Sequence, residues 1–94
     1  MNYIDAFDAP TRNTGQIKLY GPDAFEGMRV VGKIAGGALD MLAGLIKPGV
    51  TTAEIDQAAY QYGIDQDALP ATLGYRGYRY SCCTSINHVV CHAI

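Results

Sequence analysis

The sequence predicts an α+β domain in which two helices pack on the start of an antiparallel sheet. Three observations carry this. Apolar residues recur at steps of three and four from Phe25 to Ile46, the spacing of one helical face. Thr51-Thr52-Ala53-Glu54 reads as a capping box, and Ile55, Ala58, Ala59 and Tyr62 follow it on one face. The last residues form two short apolar or β-branched runs, YSCCTSI and VVCHAI, on either side of Asn87-His88.

Residues 1–20 show no sustained period and hold Pro10 and Gly15, so they are expected to form an extended, partly ordered arm ahead of a domain over 21–94. Gly21-Pro22-Asp23 starts the first helix, with proline at the first helical position and an acid in the first turn. Phe25, Met28, Val31, Ile34, Ala35, Ala38, Leu39, Leu42, Leu45 and Ile46 give this helix about 25 residues. Lys47-Pro48-Gly49 ends it, because a residue before proline is pushed out of the α region. Gly36 and Gly37 either permit a close approach by a neighbouring element or are tolerated substitutions. Thr51 caps the second helix, and Pro70 closes that region. Leu73–Tyr80, LGYRGYRY, is a loop. It interleaves tyrosines with Arg76 and Arg79, which suits a tyrosine-lined pocket wall better than base stacking.

Asn87-His88 is a candidate two-residue turn. The pairs are then Ile86–Val89, Ser85–Val90, Thr84–Cys91 and Cys83–His92. Alternation puts Ser81, Cys83, Ser85, Val90 and His92 on one face, with Cys82, Thr84, Ile86, Val89 and Cys91 on the other. Three readings of His92 are open on the residues alone. It is a half-buried histidine beside cysteines, or half of a Cys83–His92 nucleophilic pair, or a zinc ligand with His88 and a cysteine. No CxxC or HExxH spacing supports the last.

Composition narrows the classes. Ninety-four residues, 49% hydrophobic, make one small packed unit. A net charge of −2 gives no electrostatic reason to expect nucleic acid or an anionic membrane. No run approaches the ~18 apolar residues of a membrane span, and no signal peptide is recognisable. Three cysteines, two of them adjacent, make a poor disulfide framework and fit a reducing cytoplasm. The acids lie in the arm or at helical positions, and none is on the hairpin itself.

Four pieces in order carry a family resemblance: Met28-Arg29 with Gly32, the Lys47-Pro48-Gly49-Val50-Thr51-Thr52 junction, Gly74-Tyr75-x-Gly77-Tyr78, and Ser85-Ile86-Asn87-x-Val89-Val90-Cys91-His92. Over residues 21–94 the sequence resembles the N-terminal part of type I methionine aminopeptidases. The resemblance implies the N-terminal half of a pita-bread (creatinase/aminopeptidase-like) fold. It also implies metal-dependent removal of the initiator methionine from nascent proteins by a cytoplasmic, monomeric enzyme met at the ribosome. His92 matches a substrate-contacting catalytic histidine outside the metal's ligand set. Tyr75, Tyr78 and Cys83 match positions around the methionine side chain. Asn87 and Val89 match positions whose backbone carbonyls hold a monovalent cation. The family's two divalent metal ions (Co, Mn, Fe or Zn) take five ligands (two Asp, one His, two Glu), all beyond this motif and so outside this sequence. The chain alone is then expected to be inactive. His88, Ala93 and Thr72 depart from the family pattern, and Ala93 matters only if its φ is positive. The rival readings are a non-catalytic fragment or binding module with the same half-fold, and a creatinase-like or proline-specific peptidase.

Overall fold

Pro22 starts the first helix, where its missing N–H costs nothing. The computed structural model describes residues 2–94. Helix α1 spans Pro22–Ala43 and helix α2 spans Thr52–Asp65. Two short strands, β1 (Tyr3–Asp5) and β2 (Ile17–Leu19), precede them, and a 3₁₀ turn at Tyr75–Gly77 follows. The chain divides into two compact units, one ending at Lys33 and one running Ile34–Ile94.

In the first unit the arm is ordered. β1 and β2 pair in parallel, with Tyr3 opposite Ile17 and Asp5 opposite Leu19. The Ile17 N–H donates to the Asn2 carbonyl and the Ala6 N–H to the Leu19 carbonyl, each at 2.9 Å. Side-chain turns bend the connection. Asp5 Oδ1 accepts from the Phe7 N–H, and Asn13 Oδ1 accepts from the Gly15 N–H, with Gly15 at φ 78°. The expected antiparallel sheet is therefore corrected: the sheet among the described residues is this parallel pair.

α1 ends at Ala43, short of the expected stop at Lys47. The Gly44 and Leu45 amides turn back onto the carbonyls of Met41 and Leu42, three residues earlier, which tightens and closes the last turn. Lys47-Pro48-Gly49-Val50 is then a separate β-turn, closed by Val50 N–H to Lys47 carbonyl at 3.1 Å with Gly49 at φ 97°. Proline followed by a positive-φ glycine is the type II pattern. The chain leaves it in extended conformation at Thr51, which caps α2 as the sequence predicts. Thr51 Oγ1 accepts the Glu54 N–H at 3.1 Å, and Glu54 Oε2 accepts the Thr51 N–H at 3.0 Å.

Gly37 lies beneath the Tyr62 hydroxyl of α2. A β-carbon there would meet that oxygen and lie 3.3 Å from Tyr62 Cζ, whereas one at Gly36 would meet nothing within 4 Å. No side chain among the described residues is fully buried, and Met28 and Leu39 are each 70% exposed. Each large apolar side chain left in water forgoes roughly 1.5–3 kcal/mol of burial. The apolar stripe of α1 is thus laid out but largely uncovered. No described helix is long and apolar enough to cross a membrane.

Residues 81–94 form no strand, which corrects the two expected runs. The turn at Asn87-His88 is present, closed by Val89 N–H to Ile86 carbonyl at 3.1 Å, with Asn87 at φ 53°. Across it, however, the Thr84 N–H donates at 2.7 Å to Ala93 rather than Cys91. That bond does not fit the expected Thr84–Cys91 pairing. His92 sits at φ 58°, outside the extended region, and interrupts any ladder. The positive φ falls on His92 and not on Ala93, so alanine after the histidine introduces no strain.

The adjacent glycines should respond differently to alanine. Gly36→Ala is expected to stabilise α1 by roughly 0.5–1 kcal/mol. Gly37→Ala should lose that gain to the collision with Tyr62, and Tyr62→Phe should restore most of it. Thermal unfolding followed by far-ultraviolet circular dichroism checks this; equal gains at both positions would contradict the close approach.

Candidate functional site

The loop after α2 is shaped by three left-handed residues. Gly74 and Gly77 both have φ 82° and Arg76 has φ 48°. The Gly74 N–H donates to the Tyr78 carbonyl at 2.6 Å, closing the loop on itself. Arg76 does not reach outward for an anion: its Cζ lies 5.4 Å over the Tyr75 ring, a cation–π contact. Tyr78 meets Tyr80 edge to face, with ring centroids 5.8 Å apart.

The dipeptide Ser81-Cys82 is held by side chains instead of by a ladder. Asp56 Oδ1 accepts the Ser81 N–H at 2.8 Å and the Cys82 N–H at 3.0 Å. Thr72 Oγ1 donates to the Ser81 carbonyl at 2.6 Å, and the Tyr78 hydroxyl donates to the Cys82 carbonyl at 2.9 Å. All four backbone polar groups of the dipeptide are thereby satisfied, which removes the need for strand pairing. The sequence reading missed Asp56. Its signal was an aspartate, a poor helix former, inside α2 next to the apolar stripe at Ile55 and Ala59. Thr72, noted only as a departure, here supplies a strong hydroxyl donor.

Ala71, Thr72, Tyr75, Tyr78, Cys83 and His92 line one cleft of about 470 Å³. The structure therefore places Tyr75, Tyr78, Cys83 and His92 together. Asn87 and Val89 lie at the 87–88 turn and are not among the lining residues. Cys83 and His92 are exposed, and Tyr78 is half-buried. No hydrogen bond joins Cys83 to His92. The Cys83 sulfur instead lies 3.4 Å from the Tyr78 hydroxyl. One phenolic proton serves both neighbours, and the shorter contact to the Cys82 carbonyl holds it better. The hydrogen bond to Cys83, then desolvation, then the nearby thiols and Asp56 push the Tyr78 phenol up to about 12. Burial pushes the Cys82 thiol up, and the Asp56 carboxylate beside it adds to the effect. All three cysteines are free.

The donor set does not fit a metal. Among the described residues no three His, Cys, Asp or Glu side chains gather closely enough to hold one; His88, His92 and a cysteine do not converge. What the cleft offers is an aromatic and sulfur-lined wall with one imidazole, which can bind an apolar side chain and place a proton donor or acceptor beside it.

Comparison with known proteins gives the following. The profile of metallopeptidase family M24 matches residues 26–94. The chain is 52% identical over 73 residues to "Methionine aminopeptidase 2" of Mycobacterium tuberculosis, covering 78% of this chain and 26% of that protein. It is 47% identical over 78 residues to the mitochondrial "Methionine aminopeptidase 1D" of Dictyostelium discoideum, covering 83% and 19%. It is 46% identical over 79 residues to the "Methionine aminopeptidase" of Escherichia coli K12, covering 83% and 30%. The chain thus spans less than a third of the length of these relatives.

The raised Tyr78 phenol makes the 72–83 region sensitive to alkali. The folded state holds this proton more tightly than the unfolded state. Its contribution to stability is full below the ordinary phenol value of 10.0 and is lost as pH rises through about 12. Titration followed by phenolate absorbance should show a late step near 12, and Tyr78→Phe should remove it. Persistence of that step in the variant would contradict the assignment.

Proposed function

The chain belongs to metallopeptidase family M24, and from that premise we propose that it is the methionine-recognising part of a methionine aminopeptidase. The observation that carries this is the single cleft lined by Tyr75, Tyr78, Cys83 and His92. Its size, about 470 Å³, is within the roughly 300–1,000 Å³ of small-ligand clefts. The relatives' names supply the reaction class. The finer fold reading is the N-terminal half of a pita-bread domain, with the uncovered stripe of α1 in support.

In this reading the substrate is the N-terminal methionine of a nascent polypeptide. Its thioether lies against the faces of Tyr75 and Tyr78 and beside the Cys83 sulfur, where sulfur–aromatic contact favours it over a charged side chain. A lysine in its place would have to strip its ammonium of water with no carboxylate in the lining. His92, at the cleft, is the catalytic residue of this chain. Its imidazole has no hydrogen-bond partner among the described residues, so both nitrogens are free to donate to or accept from the peptide next to the methionine. The described residues do not fit the divalent metal pair of the family, and no step through metal is assigned to them. The main-chain carbonyls of Asn87 and Val89 accept no backbone hydrogen bond among the described residues, and we propose them as the monovalent-cation ligands. Three free cysteines support a reducing compartment, the cytoplasm.

The test is made in a full-length enzyme carrying this segment. His92→Ala should lower turnover on a Met-Ala-Ser peptide by about 10²–10⁴ while bound metal is unchanged. Metal lost in proportion to activity would show that the histidine is a ligand and not a substrate contact.

A further inference from the structure

Cys82 and Cys83 are neighbours in sequence but not in surroundings. Cys82 is half-buried, with its sulfur 3.6 Å from Asp56 Oδ1. It borders a separate cavity of about 140 Å³ that Asp56, Thr52, Thr84 and Ile94 also line. Cys83 is exposed and lines the larger cleft with Tyr78 and His92. The two thiols thus border different cavities, and the placing of the 81–82 main chain sets which of them faces the cleft.

We propose that Asp56 is the positioning residue of the cleft: by holding the Ser81 and Cys82 amides with one oxygen, it determines that Cys83 and not Cys82 is presented to the cleft's occupant. Thr72 and Tyr78 hold the two carbonyls of the same dipeptide, but they belong to the segment that follows α2. Asp56 is anchored in α2, whose start is fixed by the capping box. It is the only one of the three carried by an α-helix. The role needs an acceptor at one place, so an asparagine oxygen suffices and a displaced carboxylate does not. The positioning rests on geometry alone; that the occupant is a methionine side chain rests on the function proposed above.

The test is thiol labelling of the 94-residue chain with iodoacetamide, read cysteine by cysteine by peptide mass, with exposed Cys91 as internal reference. In the parent chain Cys82 should react roughly tenfold more slowly than Cys83, as a shielded thiol beside a carboxylate does. Asp56→Asn should keep Cys83 ahead of Cys82. Asp56→Ala should bring the two rates together, and Asp56→Glu, which keeps the charge and the helix but moves the oxygen by one methylene, should do the same. Thr51→Ala, which weakens the α2 cap without touching Asp56, should leave the order intact. An unchanged order in both Asp56→Ala and Asp56→Glu would overturn the proposal. So would loss of the order in Asp56→Asn, which would make charge the cause, or in Thr51→Ala, which would make helix stability the cause. If Asp56→Ala does not fold, Asp56→Glu decides. Peptide binding is not read in this experiment, so its result stands whether or not the occupant is methionine.

Discussion

One carboxylate oxygen of Asp56 fastens the Ser81-Cys82 dipeptide to helix α2, and the cleft follows from that fastening. Oδ1 accepts two main-chain N–H groups at 2.8 and 3.0 Å, a charge-assisted arrangement in which removing the acceptor strands two amides at about 1–3 kcal/mol. With the carbonyls taken by Thr72 and Tyr78, the dipeptide is locked in direction as well as in place. Tyr78, bent back by the Gly74-to-Tyr78 closure, then stands over Cys83. The pair and His92 line the same cleft.

This fastening matters more here than it would in a protein with a deep core. No side chain is fully buried among the described residues, so packing alone cannot fix the 72–94 segment. The helices supply local order through their own end chemistry: Pro22 and the Gly44 stop for α1, the Thr51–Glu54 box for α2. What they lack is a surface against which their apolar stripes close. Directed hydrogen bonds hold their geometry with few neighbours, whereas a hydrophobic contact needs neighbours on every side.

The sequence made some of this legible and hid the rest. The capping box and the proline start were readable because each is decided by a few adjacent residues, whereas Lys47-Pro48-Gly49 reads as a helix stop although α1 ends at Ala43 and these residues form a separate turn. The Asn87-His88 turn was readable for the same reason as the box. The strands expected over 80–94 were not found, because β-branched composition carries no information about side chains that claim the backbone from elsewhere in the chain. Asp56 is 25 residues from Ser81, and no local pattern links them. The parallel pairing of Tyr3–Asp5 with Ile17–Leu19 was hidden too, since three-residue strands leave no period to detect. The placing of Tyr75, Tyr78, Cys83 and His92 in one cleft could be expected only from the family resemblance with the hairpin parity.

Amide hydrogen exchange of the 94-residue chain, resolved by nuclear magnetic resonance, tests the side-chain fastening most directly. The account predicts that the Ser81 and Cys82 amides exchange more slowly than those of Cys83 and Val90, which have no partner among the described residues. Exchange at Ser81 and Cys82 as fast as at Cys83, or protection alternating along 82–86 and 89–93 as an antiparallel ladder would give, would contradict it.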